Sequence, residues 1–499
     1  MVKIEKRKAS DGFRPCPNII AAQPLNSSLL ILHSSLYINI GGFTMKTFKK
    51  ALSIVLSVML MLPLGSLCLA SAADADYTIV SPYADVVWSG DNAWGAYKGS
   101  LHSHTTYSDA DDTLPVMVKE AYNQDYDFLA ISDHGITGVE WNKTPALQLL
   151  YTYQLIIDNP YEHLTDEEYE AIKNGTYPLY DGTVRNKKMV PVLGANEFNN
   201  LSLTKNHVNG YFLAPDKGNG FPGSENELGY DQALAYIEKH GGLSHINHPG
   251  DWLASNDNPD IVSDPESVKT IGDLILKYDS CLGTEVFNER NGTTGYDRIL
   301  WDNLLMYTLP YGKNVIGFSN TDAHHTGTVD TSYSIFMMKE NTVENIKETM
   351  QSGAFFMVTR KLRPNDKIGP DAEIDVANTD KPIPMFTKLT VDGHKITVSA
   401  KETDTVQWIA NGNVIATDKI NGTGTVTLDL DNINGAEDFH YVRVELFGEG
   451  GLTISQALVI DDGTEALDFV EETTLLEKLV IAFRGTKLYT IFSELIKLF

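Results

Sequence analysis

Along the first two thirds of the chain, short apolar runs bounded by Gly, Asp and Asn alternate with stretches whose apolar residues recur every three to four positions. Leu114-Pro115-Val116-Met117-Val118-Lys119-Glu120-Ala121-Tyr122 has helical spacing, and Tyr126-Asp127-Phe128-Leu129-Ala130-Ile131 reads as a buried strand. With the extended segment around His102 they make a β-α-β unit. The alternation then repeats. Residues 188–194 and 208–213 read as strands, and 231–240 as a helix feeding a strand at 242–244. Residues 297–307 read as a helix feeding a strand at 314–319, and 342–351 as a helix before a strand at 355–359. So many β-α repeats predict an α/β fold, a barrel of about seven or eight strands rather than a small open sheet.

From about residue 383 the period changes to two. The runs 386–391, 395–400, 405–410, 424–430 and 441–447 alternate apolar with polar residues, separated by turns such as Asp392-Gly393 and Asn411-Gly412. This predicts a small antiparallel, immunoglobulin-like β-sandwich over 383–462, either a stabilising layer on one side of the barrel or a carbohydrate or cell-wall attachment module. Trp408 lies on one of these strands and is read as core rather than as a sugar platform. Residues 463–499 are a linker and an amphipathic helix: Leu475, Leu476, Leu479, Val480, Phe483, Leu488, Ile491, Phe492, Leu495, Ile496 and Phe499 fall at helical spacing, interrupted at Gly485. Such a helix lies on a membrane surface, on a partner or on its own protein.

The chemistry-bearing residues sit at the ends of the predicted strands. Residues i and i+2 of a strand share a face, so His102 and His104 can grip one ion side by side, and Asp322 with His324 repeats that spacing. Between them lie Asp109, Asp133-His134, Glu197, His207 and the run His245-Ile246-Asn247-His248-Pro249. Ten of the thirteen histidines fall between His102 and His325, most of them beside an acid, which favours ligation over isolated core packing. His163 and His240 lie on predicted helices and are read as structural. Mixed imidazole and carboxylate donors suit Zn, Mn or Fe and do not choose among them. Such a set points to a multinuclear metal hydrolase.

His102-x-His104, Asp109, Asp133-His134, Glu197, His207, His248-Pro249 and Asp322-x-His324, in that order from about Lys98 to about Arg360, resemble the PHP (polymerase and histidinol phosphatase) superfamily. The resemblance implies a distorted (β/α)7 barrel that hydrolyses phosphate esters with two to three divalent ions. It would place His102, His104, Glu197 and Asp322 on one ion, Glu197, His207 and His248 on a second, and Asp109, His134 and His324 on a third. His245 is the alternate to His248, which is preferred because the family's histidine precedes a proline. Asp133 would orient an imidazole or a water, Arg290 or Arg360 would clamp a phosphate, and His325 would face the substrate.

Ahead of this region, Met45-Lys46-Thr47-Phe48-Lys49-Lys50, an apolar stretch over 51–69 and Ala70-Ser71-Ala72 read as a signal peptide cleaved near Ala72. Residues 1–44 are then an upstream extension from an early start codon, and 73–382 form the hydrolase domain of a secreted or cell-surface bacterial protein. The portion after Ala72 keeps one cysteine, Cys281, and so has no internal disulfide framework. The chain carries −27. Its first 73 residues hold eight basic and two acidic side chains, a surplus of six positive charges, so the remainder carries −33. That field repels polyanions and argues against long nucleic acid as substrate. The expected substrate is a small phosphorylated compound. The rival readings are hydrolysis of a non-phosphate ester, amide or carbamate at the same metals, and a non-catalytic surface protein whose sandwich binds glycan.

Overall fold

The computed structural model describes residues 77–146, 161–199, 206–215, 217–218, 229–255, 257–288, 296–361 and 380–471. The expected leader with its upstream extension, Arg290 and the amphipathic C-terminal stretch lie outside the described residues. Among the described residues no helix is long and apolar enough to cross a membrane.

The chain runs through β1 (Thr78–Val80) and β2 (Gly95–Ser100), crosses by α1 (Leu114–Asn123) to β3 (Phe128–Leu129), and passes α2 (Asp166–Asn174) to β4 (Val190–Pro191). Strands β2, β3 and β4 are parallel. Helix α1 starts where Pro115 presets its first turn, and it buries Leu114, Met117, Val118, Ala121 and Tyr122, the stripe that its 3.6-residue period dictates. Helix α2 opens on a capping box of Thr165 and Glu168 and closes on the left-handed Gly175.

The next elements are β5 (Asn196–Phe198), β6 (Val208–Tyr211), α3 (Tyr230–Lys239), β7 (Leu243–Ile246), α4 (Pro249–Trp252), α5 (Pro265–Lys277), β8 (Cys281–Asn288), α6 (Asp297–Thr308) and β9 (Ile316–Asn320). Their strands form a second sheet in the order β5-β6-β7-β8-β9. The chain then returns to the first sheet through β10 (Ser332–Met338), α7 (Val343–Ser352) and β11 (Phe355–Thr359).

The expected barrel is not a closed ladder among the described residues: the fold is mixed α/β with two sheets. Isolated parallel bridges, Ser103 with Ala323 and His134 with Glu197, are what joins the sheet ends. The ladders stop there because the backbone leaves the extended region beside each bridge, at Asp322 (φ 49°) and Gly135 (φ 63°).

The C-terminal strands are β12 (Met385–Asp392), β13 (Lys395–Ala410), β14 (Asn413–Asp429), β15 (Tyr441–Gly448), β16 (Gly451–Ile454) and β17 (Leu458–Asp461). All their pairings with one another are antiparallel. The runs read separately at 395–400 and 405–410 are one strand, β13, bent by register shifts around Glu402, whose φ is 53°. Asn411 and Gly412 both adopt positive φ, the requirement of a two-residue hairpin turn. Strand β16 pairs with β11, so this layer continues the first sheet. Trp408 is fully buried here, its indole nitrogen donating to Asp418 Oδ2 at 2.8 Å.

Candidate metal centre

The sheet ends at the two bridges are where the histidines converge. Beyond β2 the chain stays extended: His104 N donates to Ala323 O at 2.9 Å and Asp322 N to His102 O at 3.1 Å. His102 and His104 therefore share a face and meet Asp322 from across the seam. Glu197 occupies the middle of β5, opposite Asn209 on β6, and His207 immediately precedes β6.

Glu197 is the hub. Its Oε2 lies 3.3 Å from His102 Nε2, 3.1 Å from His104 Nε2 and 3.1 Å from His134 Nδ1. Its Oε1 lies 2.9 Å from His207 Nδ1 and 3.5 Å from His248 Nε2. Asp322 Oδ1 lies 3.2 Å from His102 Nε2 and 3.1 Å from His104 Nε2, and those two nitrogens are 3.1 Å apart. On the outer side, Asp109 approaches His324 at 3.2 Å and His104 and His134 at 3.6 Å each.

Three groups of donors each bring their atoms within 4.8 Å of one another: His102, His104, Glu197 and Asp322; His134, Glu197 and His207; and His104, Asp109, His134 and His324. The first has the membership that the family resemblance implies for one ion. In the other two, His134 stands with Glu197 and His207, and His104 joins the outer group. His248 reaches the cluster through Glu197 and, at 3.9 Å, Asp322 Oδ2.

These residues fit divalent ions on two counts. Ligand atoms about 2.1 Å from a common ion are separated by roughly 3.0–3.4 Å at octahedral to tetrahedral angles, which matches the 3.1–3.3 Å spacings around His102 and His104. Burial works against charge on both imidazoles, yet Asp322, Glu197 and, for His102, Glu285 carry them above their ordinary range, to about 10 for His104. The pocket thus holds a negative potential that calls for positive charge. His207 goes the other way: burial takes it down to about 4 against the pull of Glu197, leaving it a neutral donor.

Two of the candidate ligand residues sit in strained backbone, His248 at φ 27° and Asp322 at φ 49°. Strain of this kind in non-glycine residues persists where the surrounding structure over-determines a functional placement.

Glu285, on β8, is a member of the site that sequence reasoning missed. It is fully buried and its Oε1 lies 2.8 Å from His102 Nδ1, so His102 donates there and turns Nε2 toward Glu197 and Asp322. The same carboxylate accepts from Asn320 Nδ2 at 2.9 Å, Asn288 Nδ2 at 3.0 Å and the His248 backbone N–H at 3.0 Å. It thereby ties β8 to β9 and to the turn after β7. Burial alone would raise its carboxyl, but His102 holds it down at about 2. Asn247 is a second such residue, donating to Glu197 Oε1 at 2.7 Å. A lone Glu inside the apolar run Cys281–Asn288 was the available signal.

The remaining sequence candidates lie apart from the donors. His245 is buried with Nε2 2.8 Å from Tyr211 Oη and its ring stacked on Phe318. Asp133 accepts from Thr105 N and Oγ1, both at 2.7 Å, and from Ser108 Oγ at 2.6 Å. It therefore pins the turn that presents Asp109. Arg360 binds Asp330 Oδ2 and the carbonyls of Lys381 and Gly450, at the junction with the C-terminal strands. His325 is exposed.

No protein-family profile matches the chain, and no curated protein matches it. Partial likeness exists to solved structures. A two-domain protein from Bacteroides vulgatus containing a predicted PHP-like metal-dependent phosphoesterase is 16% identical, with 73% of this chain and 96% of that chain covered and a TM-score of 0.38. A lesion-specific endonuclease from Pyrococcus furiosus is 14% identical, with 52% and 56% covered and a TM-score of 0.29. An amidohydrolase from Chromobacterium violaceum is 14% identical, with 45% and 87% covered and a TM-score of 0.26.

Proposed function

We propose that this chain is a secreted, PHP-type metal-dependent phosphoesterase acting on a small phosphorylated substrate with two to three divalent ions, Mn, Zn or Fe. The two sheets are then the halves of a distorted (β/α)7 barrel opened at its seams, and β12–β17 an immunoglobulin-like layer beside it. One observation carries the reading: Glu197 is shared, with His102, His104 and His134 at one carboxylate oxygen and His207 and His248 at the other. A single carboxylate between two imidazole sets is what a site for adjacent cations requires.

Bound there, divalent ions supply Lewis acidity for a phosphoryl oxygen and bring the pKa of a water toward neutrality. The residues of the chain supply position and electrostatics. Glu285 and Asn247 fix the orientation of His102 and Glu197. Asp133 anchors the turn that carries Asp109, and Asp109, with a half-exposed side chain, marks the solvent side where a substrate enters. The deeper donors, His102, His104 and Glu197, are closed to bulk water. An anionic ester meets an overall acidic protein, so attraction is confined to the ion-loaded pocket.

The test is elemental analysis of the protein purified without added metal, followed by phosphate release from p-nitrophenyl phosphate and a phosphate-ester panel against carboxyl esters and amides. Two or more equivalents of a transition metal, phosphate release, and loss of both in Glu197→Ala are expected. Hydrolysis confined to carboxyl esters or amides, or a protein that binds no metal, would overturn the assignment.

A further inference from the structure

Beside the donor cluster, on the His207 side, polar atoms are buried without partners. Asn199 is 1% exposed, yet neither its Oδ1 nor its Nδ2 has a hydrogen-bond partner. Strand β5 pairs with β6 through Asn196 with Gly210, Glu197 with Asn209 and Phe198 with Val208. One further step of that register sets Asn199 opposite His207, on the face it shares with Glu197. Trp252, at the end of α4, packs its ring 4.6 Å from His207 and 5.2 Å from His248, and its buried indole N–H lacks an acceptor. His207 Nε2 is likewise without a partner.

Buried polar groups in native proteins are nearly always paired, because leaving one unmade forfeits its hydration with nothing in return. An amide with both ends unpaired, one register step from His207, and an indole N–H in the same state against His207 and His248 are the signature of a place kept for a ligand. The chemistry of that ligand follows from the atoms. An indole N–H only donates, so it requires an oxygen acceptor. An amide both donates and accepts, and a phosphate oxygen or a phenolic leaving group would satisfy Nδ2 while leaving Oδ1 bare. A hydroxyl-bearing group answers both.

We infer that Asn199 and Trp252 form a recognition subsite beside the metal centre for the alcohol part of the substrate, and that this part carries free hydroxyls, as in a sugar or polyol phosphate. The inference rests on the phosphoesterase reading but has its own observables. Asn199 selects the hydroxylated alcohol through its amide, and Trp252 positions it by donating to an oxygen. Both are specificity residues rather than ion ligands.

The test compares glycerol 1-phosphate with n-propyl phosphate, which share a carbon skeleton and differ in the two hydroxyls. The metal-loaded wild-type protein is expected to favour glycerol 1-phosphate at least about tenfold in kcat/KM, since a site built to bond a hydroxyl rejects the analogue that lacks it. Asn199→Leu is expected to collapse that ratio to near one, and Trp252→Phe, which keeps the ring and loses the N–H, to raise KM for glycerol 1-phosphate several-fold. The melting temperature is an independent readout. Because Asn199 has no partner to lose, Asn199→Leu is expected to melt at or above the wild-type temperature, whereas a structural asparagine would melt lower.

Phosphate release from both esters at equal rates, or a preference surviving in Asn199→Leu, would overturn the inference while leaving the phosphoesterase reading intact. If neither ester is hydrolysed, the phosphoesterase reading is left to its own ester panel and calorimetric binding of the two esters decides the subsite: tighter glycerol 1-phosphate binding lost in Asn199→Leu upholds it, and equal or absent binding overturns it.

Discussion

The orientation of His102 depends on a residue that is not itself one of the candidate ligands. Glu285 accepts from His102 Nδ1 at 2.8 Å and leaves Nε2 as the lone-pair nitrogen directed at Glu197 and Asp322. Carboxylate partners of this kind fix the tautomer and raise the basicity of a ligand imidazole, and their loss costs about 10–100-fold in metal affinity. Glu285→Gln keeps the size of the side chain and one acceptor, but it puts an N–H where two of the four surrounding donors now point. Competition with a graded chelator should show its tightest site weakened by about 10–100-fold, with no change in the number of sites at saturating metal. An unchanged affinity would mean that packing alone orients His102.

The strand elements separate what the sequence made legible from what it hid. The runs around His102, His134, Glu197, His207, His248 and His324 were readable because each donor lies on a strand or within a few residues of one end, and the i, i+2 spacing of His102 and His104 carries into the fold unchanged. Glu285 showed only as one acid in an apolar strand, a signal with no spacing partner to give it a role, and its four contacts come from segments up to 183 residues away. The pairing of β16 with β11 was equally hidden, since it is set by which strand edges meet in three dimensions and not by any local period. Between His245 and His248 on one short run, the period of a strand could not choose.

In the structure His245 is a core residue of β7, and that has a consequence for pH. Burial, aided by His102, takes its imidazole down to about 4, against an ordinary value of 6.5. Between these values the unfolded chain binds a proton that the folded chain refuses. Stability from this residue is therefore complete above about pH 6.5, falls as the pH drops through the window, and levels off below about 4, a loss of about 3 kcal/mol. His245→Gln, which retains a hydrogen-bonding partner for Tyr211, should flatten the acid limb of urea midpoints measured between pH 7 and 4 relative to wild type. An acid limb of equal slope in the two proteins would show that His245 does not titrate in that window.

At the scale of the whole described molecule, the question is whether the C-terminal strands are an appendage or part of the body that builds the metal centre. Three connections argue for the second. Strand β16 extends the sheet of β11, β10 and β2, the strand that leads into His102. Gln456 bonds the backbone of Gly317 on β9 in both directions, through Oε1 at 2.9 Å and Nε2 at 2.7 Å. A buried ion network crosses from β15 to α6: Arg443 binds Asp302 through Nε and Nη2, both at 2.7 Å, and Glu445 through Nη1 at 2.5 Å, while Glu445 also accepts from Arg298. A buried network of this sort adds little over an apolar substitute, but removing one member strands the others, at about 3–5 kcal/mol. Arg443→Met leaves Asp302 with Tyr441 as its remaining partner among these groups. It should therefore destabilise by about 3–5 kcal/mol, although it lies on a strand with no candidate ligand. Because the strands share one sheet, release of bound metal and loss of tryptophan fluorescence in urea should shift together to the same lower midpoint. Two separated transitions, with metal retained through the first, would show instead that the C-terminal layer unfolds on its own and that the centre stands without it.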